Sequence, residues 1–223
     1  DLSYVFTAAE EIAKNLNGYK VIVIKSTVPV GTNEKVKAVI LKNAGGKEFD
    51  IASNPEFLRE GCSVEDMRNT DRTVVGTDSQ RALDVMRKFY SNVNAPLVEC
   101  DLRSAEMIKY AANCFLATKI TFINEMSQLC DRSGADVNLV AKGIGLDKRI
   151  GSTFLRASIG FGGSCFPKDV AALYKTSMDY AYNFKILKSV IEANDMQKEY
   201  FVKKLGIKYG DNLSGLTFGC LGL

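Results

Sequence analysis

The feature that most constrains the fold is a long stretch without glycine or proline, from Leu102 to about Ser133. Because glycine and proline are the strongest interruptions of a helix, this stretch predicts one helix of roughly 30 residues, about 45 Å long at about 1.5 Å per residue. Its apolar residues fall on nearly every side, which is typical of a helix buried in a core or between subunits. We therefore expect an all-α part that begins near residues 100–102.

The residues before this helix alternate helical and strand patterns. Apolar residues recur at helical spacing over residues 2–17, and the β-branched run from Val21 to Ile24 is typical of a strand buried on both faces of a parallel sheet. Thr32 is expected to cap the next helix, which runs to about Lys42. Further strands are expected at Phe49–Ser53, Arg72–Gly76 and Ala95–Glu99, with a helix at Ser79–Tyr90. This alternation predicts a doubly wound α/β domain.

The residues after the long helix carry shorter patterns. Helical spacing recurs over residues 136–143, 169–179 and 184–206. The last residues, from Leu216 to Leu223, predict a buried strand that begins to turn at a glycine. Nothing follows for that strand to pair with, and no GxGxxG sequence occurs, so we expect the chain to be cut from a longer protein at both ends.

Composition excludes several classes of chemistry. The chain contains no histidine and no tryptophan, which rules out Ser-His-Asp and Cys-His catalysis and histidine-ligated zinc. Proton transfer must therefore use Asp, Glu, Lys, Tyr, Cys or water. The net charge of +3, from 29 basic and 26 acidic residues, is too balanced to indicate binding to nucleic acid or a membrane surface.

The six cysteines are scattered, and no two form a CxxC pair, so we expect no metal site. Scattered cysteines in a chain of 223 residues without a secretion signal indicate reduced, mostly buried thiols and a cytoplasmic location. No apolar run approaches the roughly 20 residues that a membrane span needs.

The densest chemical motif is the sequence GFGGSCFPKD, from Gly160 to Asp169. Its glycines let the backbone approach a ligand closely, and Pro167 suits the first turn of a following helix. Cys165 would then lie at a helix N-terminus near Lys168, a setting that favours the thiolate. The alternative for an isolated cysteine is a glycine turn around a buried structural thiol, but the flanking motifs favour function.

Polar residues on the long helix form a second candidate group. Lys109 and Asn113 are four residues apart and so share one face. A buried ammonium must be paired or serve a ligand, and the alternatives are that Lys109 reaches solvent or pairs with Glu106. Asn124 and Glu125 lie further along the helix, where an inter-helix contact is the alternative to function.

Two loops follow predicted parallel strands at their carboxyl ends, where doubly wound sheets bind ligands. They are residues 26–31, STVPVG, and residues 53–61, SNPEFLREG. Each loop alone is weak evidence, since turn and cap residues have the same composition. Together they predict polar groups along one edge of the sheet.

Five stretches match the motifs of one enzyme family in order and spacing, and they run along nearly the whole chain. They are KSTVPVGT (25–32), SNPEFLREG (53–61), SAEMIKYAANCFLATKITFINE (104–125), LDKRIG (146–151) and FLRASIGFGGSCFPKD (154–169). On these motifs the chain resembles the nucleotide-sugar dehydrogenases of the UDP-glucose/GDP-mannose dehydrogenase family. The cysteine loop is highly specific, and the FLRAS and RIG sequences look more like the UDP-glucose branch than the GDP-mannose or UDP-N-acetylhexosamine branches.

The resemblance implies an NAD-dependent, four-electron oxidation of a sugar CH2OH group to a carboxylate, with UDP-glucose as the substrate. Cys165 would form a thiohemiacetal and then a thioester, which water hydrolyses. Lys109 and Asn113 would stabilise the developing oxyanion. The residues implied to order water and manage protons are Asp169, Thr27 and Glu60.

The resemblance also implies binding residues. The cofactor-side contacts would be Ser26, Thr27, Val28, Glu60, Cys165 and Lys168. The substrate contacts would be Glu56, Phe57, Leu58, Arg59, Lys109, Asn113, Arg149, Phe154, Leu155, Arg156, Ala157, Ser158, Gly160, Phe161 and Gly162.

The expected organisation has three parts. Residues 1–101 would be the C-terminal part of a Rossmann-like NAD-binding domain, residues 102–213 a helical central domain, and residues 214–223 the start of a UDP-binding domain, cut at Gly219–Gly222. The 102–133 helix would form a homodimer. Alternatives are another sugar specificity, a dimerisation fragment without turnover as isolated, or a Cys-dependent aldehyde dehydrogenase or thiol hydrolase. The last is disfavoured because it gives the Lys109–Asn113 pair no task.

Overall fold

The computed structural model describes residues 1–210 and 212–219 and separates into two compact units, residues 1–112 and the residues from Asn113 onward. The first unit alternates helices and strands, as the sequence predicts. Its elements are α1 (Ser3–Lys14), β1 (Lys20–Ile24), α2 (Thr32–Asn43), β2 (Phe49–Ser53), α3 (Ser63–Arg68), β3 (Thr73–Gly76), α4 (Gln80–Phe89), β4 (Leu97–Cys100) and the first turns of α5 (Leu102–Ser133). The predicted α/β fold class is confirmed.

The four strands form one sheet in the order β1-β2-β3-β4. The pairs β1–β2 and β3–β4 are parallel, whereas β2 and β3 meet antiparallel at Ser53 and Gly76. The expectation of parallel strands therefore holds in the two outer pairs and is wrong at the centre. A parallel crossover needs a connecting helix packed on the sheet. The connection to β3 contains only the short helix α3, none of whose residues is buried.

The core of the first unit lies on both faces of β2. Ile51 packs in a cluster with side chains of α1, β1 and α2, while the next residue, Ala52, packs with Val75 of β3 and Met86 of α4. Successive residues of a strand point to opposite faces, so β2 is covered on both sides. The expectation that β1 is buried on both faces is wrong, because Val23 is 39% exposed. Among the described strands, β1 lies at an edge of the sheet.

The second unit is helical, as predicted. It contains the rest of α5, with α6 (Val137–Gly145), α7 (Phe166–Asp179) and α8 (Lys185–Tyr209). The long helix α5 begins and ends at the predicted residues. Its apolar residues face more than one way: Ala117 and Ile123 are fully buried, whereas Phe115, Phe122 and Leu129 are exposed. None of the described helices is long and apolar enough to cross a membrane.

The chain end and the cysteines depart from expectation. Residues 216–219 form no strand, and Leu216 and Phe218 are about half exposed. Residues 220–223, which complete the predicted strand and glycine turn, lie outside the described residues.

The five described cysteines are free thiols, but only Cys114 and Cys130 are buried; Cys62 and Cys165 are exposed. The prediction of mostly buried cysteines is therefore wrong for these two.

Candidate active site

Lys109, in the first unit, carries a buried ammonium group. Its side chain is 5% exposed, and Nζ lies 3.4 Å from Oε1 of Glu56. The same ammonium lies 5.1 Å from the centroid of the Phe57 ring, within the range of a cation–π contact. Both sequence-based alternatives for Lys109, solvent and Glu106, are therefore wrong: its partner comes from the loop after β2. A desolvated cation held beside a carboxylate is suited to stabilising negative charge on a ligand.

Glu106, one turn before Lys109, is bound instead to the start of α2. Its carboxylate accepts the backbone N–H groups of Gly31 (2.6 Å) and Asn33 (2.8 Å), and Nδ2 of Asn33 (2.6 Å). The carboxylate thus caps the helix and meets the positive end of its dipole. The prediction that Thr32 is the cap is wrong. The cap position is Gly31, and the Thr32 hydroxyl donates to the Pro29 carbonyl.

Asn54 organises the carboxyl ends of β1 and β2, a role that sequence reasoning missed. Its Oδ1 accepts from Nζ of Lys25 at 3.1 Å and from the Tyr90 hydroxyl at 2.5 Å, and its Nδ2 donates to the Val74 carbonyl. Partial burial lowers the pKa of Lys25, and the Glu56 carboxylate opposes this. The sequence offered a signal, since Asn54 directly follows a strand within a family motif.

The remaining candidates of the first unit lie in the two loops. Val28 is buried, whereas Ser26 is exposed at the end of β1 and Thr27 is half-buried. Arg59 forms a two-point pair with Asp66, which holds its guanidinium against the following helix α3. The neighbouring candidates of the 53–61 loop are half-buried at Glu56, Phe57 and Leu58 and exposed at Glu60.

Cys165, in the second unit, is the cap residue of α7, and its side chain is exposed. Its Sγ lies 3.6 Å from Oγ of Ser164. Pro167 stands in the first turn of the helix, as predicted. An accessible thiol next to the positive end of a helix dipole is a suitable nucleophile.

Asp169 lies one turn into α7 and is 1% exposed. Its Oδ2 accepts from Nδ2 of Asn113 at 2.6 Å, and its Oδ1 accepts from Nζ of Lys168 at 2.5 Å. The structure thus joins Asn113 of the long helix to Lys168 and Asp169 of the cysteine motif, two candidate groups that the sequence singled out separately. Burial, assisted by the Asp169 charge, raises the pKa of the neighbouring Cys114 thiol to about 12. Cys114 is therefore a neutral, unreactive thiol beside an ionic group.

The substrate-side candidates of the second unit lie mainly in the loop before α7. Phe154 has a positive φ of 63°, unusual for a residue with a bulky side chain. Leu155 and Phe161 are buried, Ala157 is half-buried, and Arg156, Ser158 and Gly162 are exposed. Arg149 lies in a different loop and forms an ion pair with Asp147 at 2.6 Å.

Three comparisons relate the chain to known proteins. Family models described as the NAD binding domain and the central domain of the UDP-glucose/GDP-mannose dehydrogenase family match residues 1–94 and 103–196. The chain is 51% identical over its whole length to UDP-glucose 6-dehydrogenase TuaD of Bacillus subtilis, of which it covers 48%. It is 47% identical to UDP-glucose 6-dehydrogenase of Rhizobium meliloti, of which it covers 52%. The chain therefore spans about half the length of the curated relatives it matches.

Solved structures of dehydrogenases are also similar to this chain. A UDP-glucose dehydrogenase from Pyrobaculum islandicum superimposes with a TM-score of 0.91 at 42% identity, over 94% of this chain and 50% of that one. A GDP-mannose dehydrogenase from Pseudomonas aeruginosa superimposes with a TM-score of 0.65 at 30% identity, over 93% of this chain and 50% of that one.

Proposed function

Because the chain belongs to the UDP-glucose/GDP-mannose dehydrogenase family, we propose that it takes part in the NAD-dependent oxidation of UDP-glucose at C6 to UDP-glucuronate. The observation that carries the proposal is similarity over the whole chain, at 51% identity, to an enzyme of that name. Among the solved structures, identity is 42% for a UDP-glucose dehydrogenase and 30% for a GDP-mannose dehydrogenase, which favours UDP-glucose as the sugar.

The loop after β1 fits part of the cofactor. Ser26 and Thr27 offer hydroxyl groups at the carboxyl end of a strand that pairs in parallel, and buried Val28 adds an apolar surface. The N-terminus of α2 already holds the Glu106 carboxylate, so a pyrophosphate would have to bind elsewhere. The residues proposed to hold NAD are Ser26, Thr27, Val28, Glu60, Cys165 and Lys168. When bound, NAD would accept the hydride that leaves the sugar carbon in each oxidation.

Cys165 would supply the covalent step. Its thiolate sulfur attacks the carbon of the C6 aldehyde, the S–C bond forms, and the carbonyl oxygen takes a proton to give a thiohemiacetal. Loss of a hydride and the hydroxyl proton leaves a thioester. Water then adds to the thioester carbon, the S–C bond breaks, and the thiol and the carboxylate separate. This role agrees with the exposed thiol at the start of α7.

Lys109 would stabilise the oxygen that becomes negative as each bond forms or breaks. Its ammonium is already desolvated and held by Glu56, so little reorganisation is needed when charge develops. Asn113 would help Lys109 to stabilise this oxygen, and Asp169, with Thr27 and Glu60, would order the hydrolytic water and take up its proton. The hydrogen bond from Nδ2 of Asn113 to Oδ2 of Asp169 keeps these two side chains together.

The proposal is tested in the complete gene product that contains this sequence. NADH formation is followed with NAD and, separately, UDP-glucose, UDP-N-acetylmannosamine and GDP-mannose. We expect kcat/KM to be highest for UDP-glucose by on the order of 100-fold or more, as expected where a site pairs with substrate hydroxyls. A preference for either other sugar would contradict the specificity, and no NADH with any sugar would contradict the activity.

We also propose that the chain forms a homodimer through α5. Phe115, Phe122 and Leu129 recur every seven residues along this helix and are 67%, 52% and 56% exposed. Residues seven apart share one face of a helix, so the three side chains form an apolar stripe. A second copy related by a two-fold axis would cover it.

A reducing compartment such as the cytoplasm fits the proposed enzyme, since the five described cysteines are free thiols.

A further inference from the structure

The loop from Ser158 to Phe161, which includes the first two residues of the cysteine motif, is held by buried side-chain amides. The N–H of Phe161 donates to Oδ1 of Asn194 at 2.8 Å, and Nδ2 of Asn194 donates back to the Phe161 carbonyl at 3.1 Å. Asn194 lies on α8 and is 5% exposed. Its carboxamide therefore binds both backbone groups of one residue, as a partner strand would.

Two further amides hold Ser158 in the same way. Oδ1 of Asn124, on α5, accepts the Ser158 N–H at 2.7 Å, and Nε2 of Gln197, on α8, donates to the Ser158 carbonyl at 2.8 Å. Gln197 is itself fixed by a bond from Nε2 of Gln128. Asn124 and Gln197 are 2% and 5% exposed, so both are removed from solvent. We call Asn124, Asn194 and Gln197 the amide clamp.

Gly160 shows how closely the clamp approaches the loop. Its φ is +118°, and a Cβ added there would lie 2.7 Å from Oδ1 of Asn194, closer than real Cβ contacts come. Only glycine fits a backbone in this conformation against this amide. The glycine of the motif and the amide of α8 therefore depend on each other.

One residue of the clamp leaves a buried polar group without a partner, which packing alone would not favour. Nδ2 of Asn124 is buried without a hydrogen-bond partner among the described residues. A buried donor without an acceptor is unfavourable, and an apolar side chain of similar shape would avoid that cost. What Asn124 supplies is an acceptor for the Ser158 N–H. The contacts thus point to a requirement for a fixed loop backbone.

We propose that the amide clamp positions the backbone of residues 158–161 and thereby sets the affinity for the nucleotide sugar. This rests on the proposed function and on the prediction, made from the family resemblance, that residues 154–158 and 160–162 contact the substrate. Asn194, Asn124 and Gln197 act through the loop, so they are positioning residues and do not touch the reacting atoms. A loop already fixed in its binding conformation loses less conformational freedom when the ligand binds.

The first test is kinetic and uses the complete gene product. Asn194→Ala removes two hydrogen bonds to the loop, and we expect KM for UDP-glucose to rise about 10-fold or more, with KM for NAD unchanged and kcat changed less. Gln197→Ala removes one bond to the loop and is expected to raise the same KM severalfold, which keeps the proposal testable if the first variant fails to fold. The control is Asp195→Asn, the next residue on α8, which is exposed and pairs with Lys198.

A merely structural role predicts a different pattern: a lower melting temperature and a lower kcat, with both KM values unchanged. That pattern, or an unchanged KM for UDP-glucose in folded Asn194→Ala, would overturn the proposal. A rise in KM for UDP-glucose alone would support it.

Hydrogen exchange separates this proposal from the proposed function. We expect the amide of Phe161 to exchange at least about 10-fold faster in Asn194→Ala than in the wild type or Asp195→Asn, because its acceptor is lost. If the wild type oxidises UDP-glucose and neither exchange nor KM changes, the clamp is wrong and the function stands. If the wild type neither oxidises nor binds UDP-glucose, the proposed function fails, and the link between the clamp and a nucleotide sugar falls with it.

Discussion

The buried ammonium group of Lys109 is suited to stabilising negative charge in the transition state. We predict that Lys109→Ala lowers kcat by about 100-fold or more and raises KM for UDP-glucose much less, since a group that stabilises charge developed only in the transition state acts on kcat. Steady-state kinetics of the complete gene product measure the split. Lys119→Ala, on the same helix with its Nζ bound to the Ile150 carbonyl, is the control. A change in KM alone would make Lys109 a substrate anchor.

Cys114 gives a prediction about pH. Burial, with Asp169 nearby, raises the pKa of its thiol from an ordinary value near 9 to about 12 in the folded chain. The folded state therefore holds this proton more tightly than the unfolded state. The resulting stability is complete below about pH 9 and is lost as pH rises toward about 12.

We therefore expect the free energy of unfolding to fall more steeply with pH above 9 in the wild type than in Cys114→Ala, by no more than about 1.4 kcal/mol per pH unit. Urea unfolding at several pH values measures it. Parallel slopes for the two proteins would contradict a raised pKa at Cys114. The cavity that the substitution leaves lowers stability equally at each pH and does not change the slopes.

Residue types could be predicted from the sequence more readily than their partners. Lys109 and Cys165 stood out because a lysine on an apolar helix and a cysteine between glycines are unusual. The partner of Lys109 could not be found this way, because Glu56 lies 53 residues earlier, and helical spacing indicates only neighbours three or four residues apart.

At the scale of elements, the cap of α2 depends on Glu106. We predict that Glu106→Ala lowers the free energy of unfolding by about 2–4 kcal/mol, because the buried N–H groups of Gly31 and Asn33 lose their acceptor. Urea denaturation measures the change. Glu34→Ala, in the first turn of the same helix, removes an exposed pair with Arg103 and is expected to change stability much less. Equal effects of the two substitutions would contradict a structural cap at Glu106.

The positions of most helices and strands could be predicted, but the contacts between them could not. Periodicity located the helices and strands to within a few residues, since it follows from which side chains a local segment buries. Two expectations failed because they depend on distant parts of the chain. The cap of α2 comes from α5, and the exposure of Val23 follows from the place of β1 in the sheet.

The same limit applied to the candidate site. The motif around Cys165 and the adjacent Asp169 could be predicted from the sequence, because both lie in one short segment. The amides that hold residues 158–161, where this motif begins, come from α5 and α8, and Asn194 lies 33 residues beyond Phe161. Asn124 stood out in the sequence as a polar residue on an apolar helix, although its partner could not be predicted. No distinguishing spacing marked Asn194 or Gln197.

At the scale of the whole molecule, the apolar stripe of α5 predicts self-association. We expect the 223-residue chain to sediment as a dimer and Phe122→Asp to sediment as a monomer, because a charge at the centre of the stripe would be buried without a partner. Phe89→Asp, at a phenylalanine of α4 that is 73% exposed, is the control and should remain dimeric. A monomeric wild type at micromolar concentration would contradict the interface.

In the proposed mechanism, Cys165 holds the sugar carbon as a thiohemiacetal after the first oxidation and releases it as a carboxylate after the second. The most direct measurement is the number of NADH molecules formed per UDP-glucose consumed by the complete gene product, with the sugar product identified by mass spectrometry. We predict two NADH and UDP-glucuronate for the wild type and for Cys62→Ser, at the other cysteine that is exposed among the described residues. In Cys165→Ser we predict a loss of UDP-glucuronate formation by on the order of 1000-fold. One NADH per sugar in the wild type, or UDP-glucuronate formed at the wild-type rate by Cys165→Ser, would contradict this mechanism.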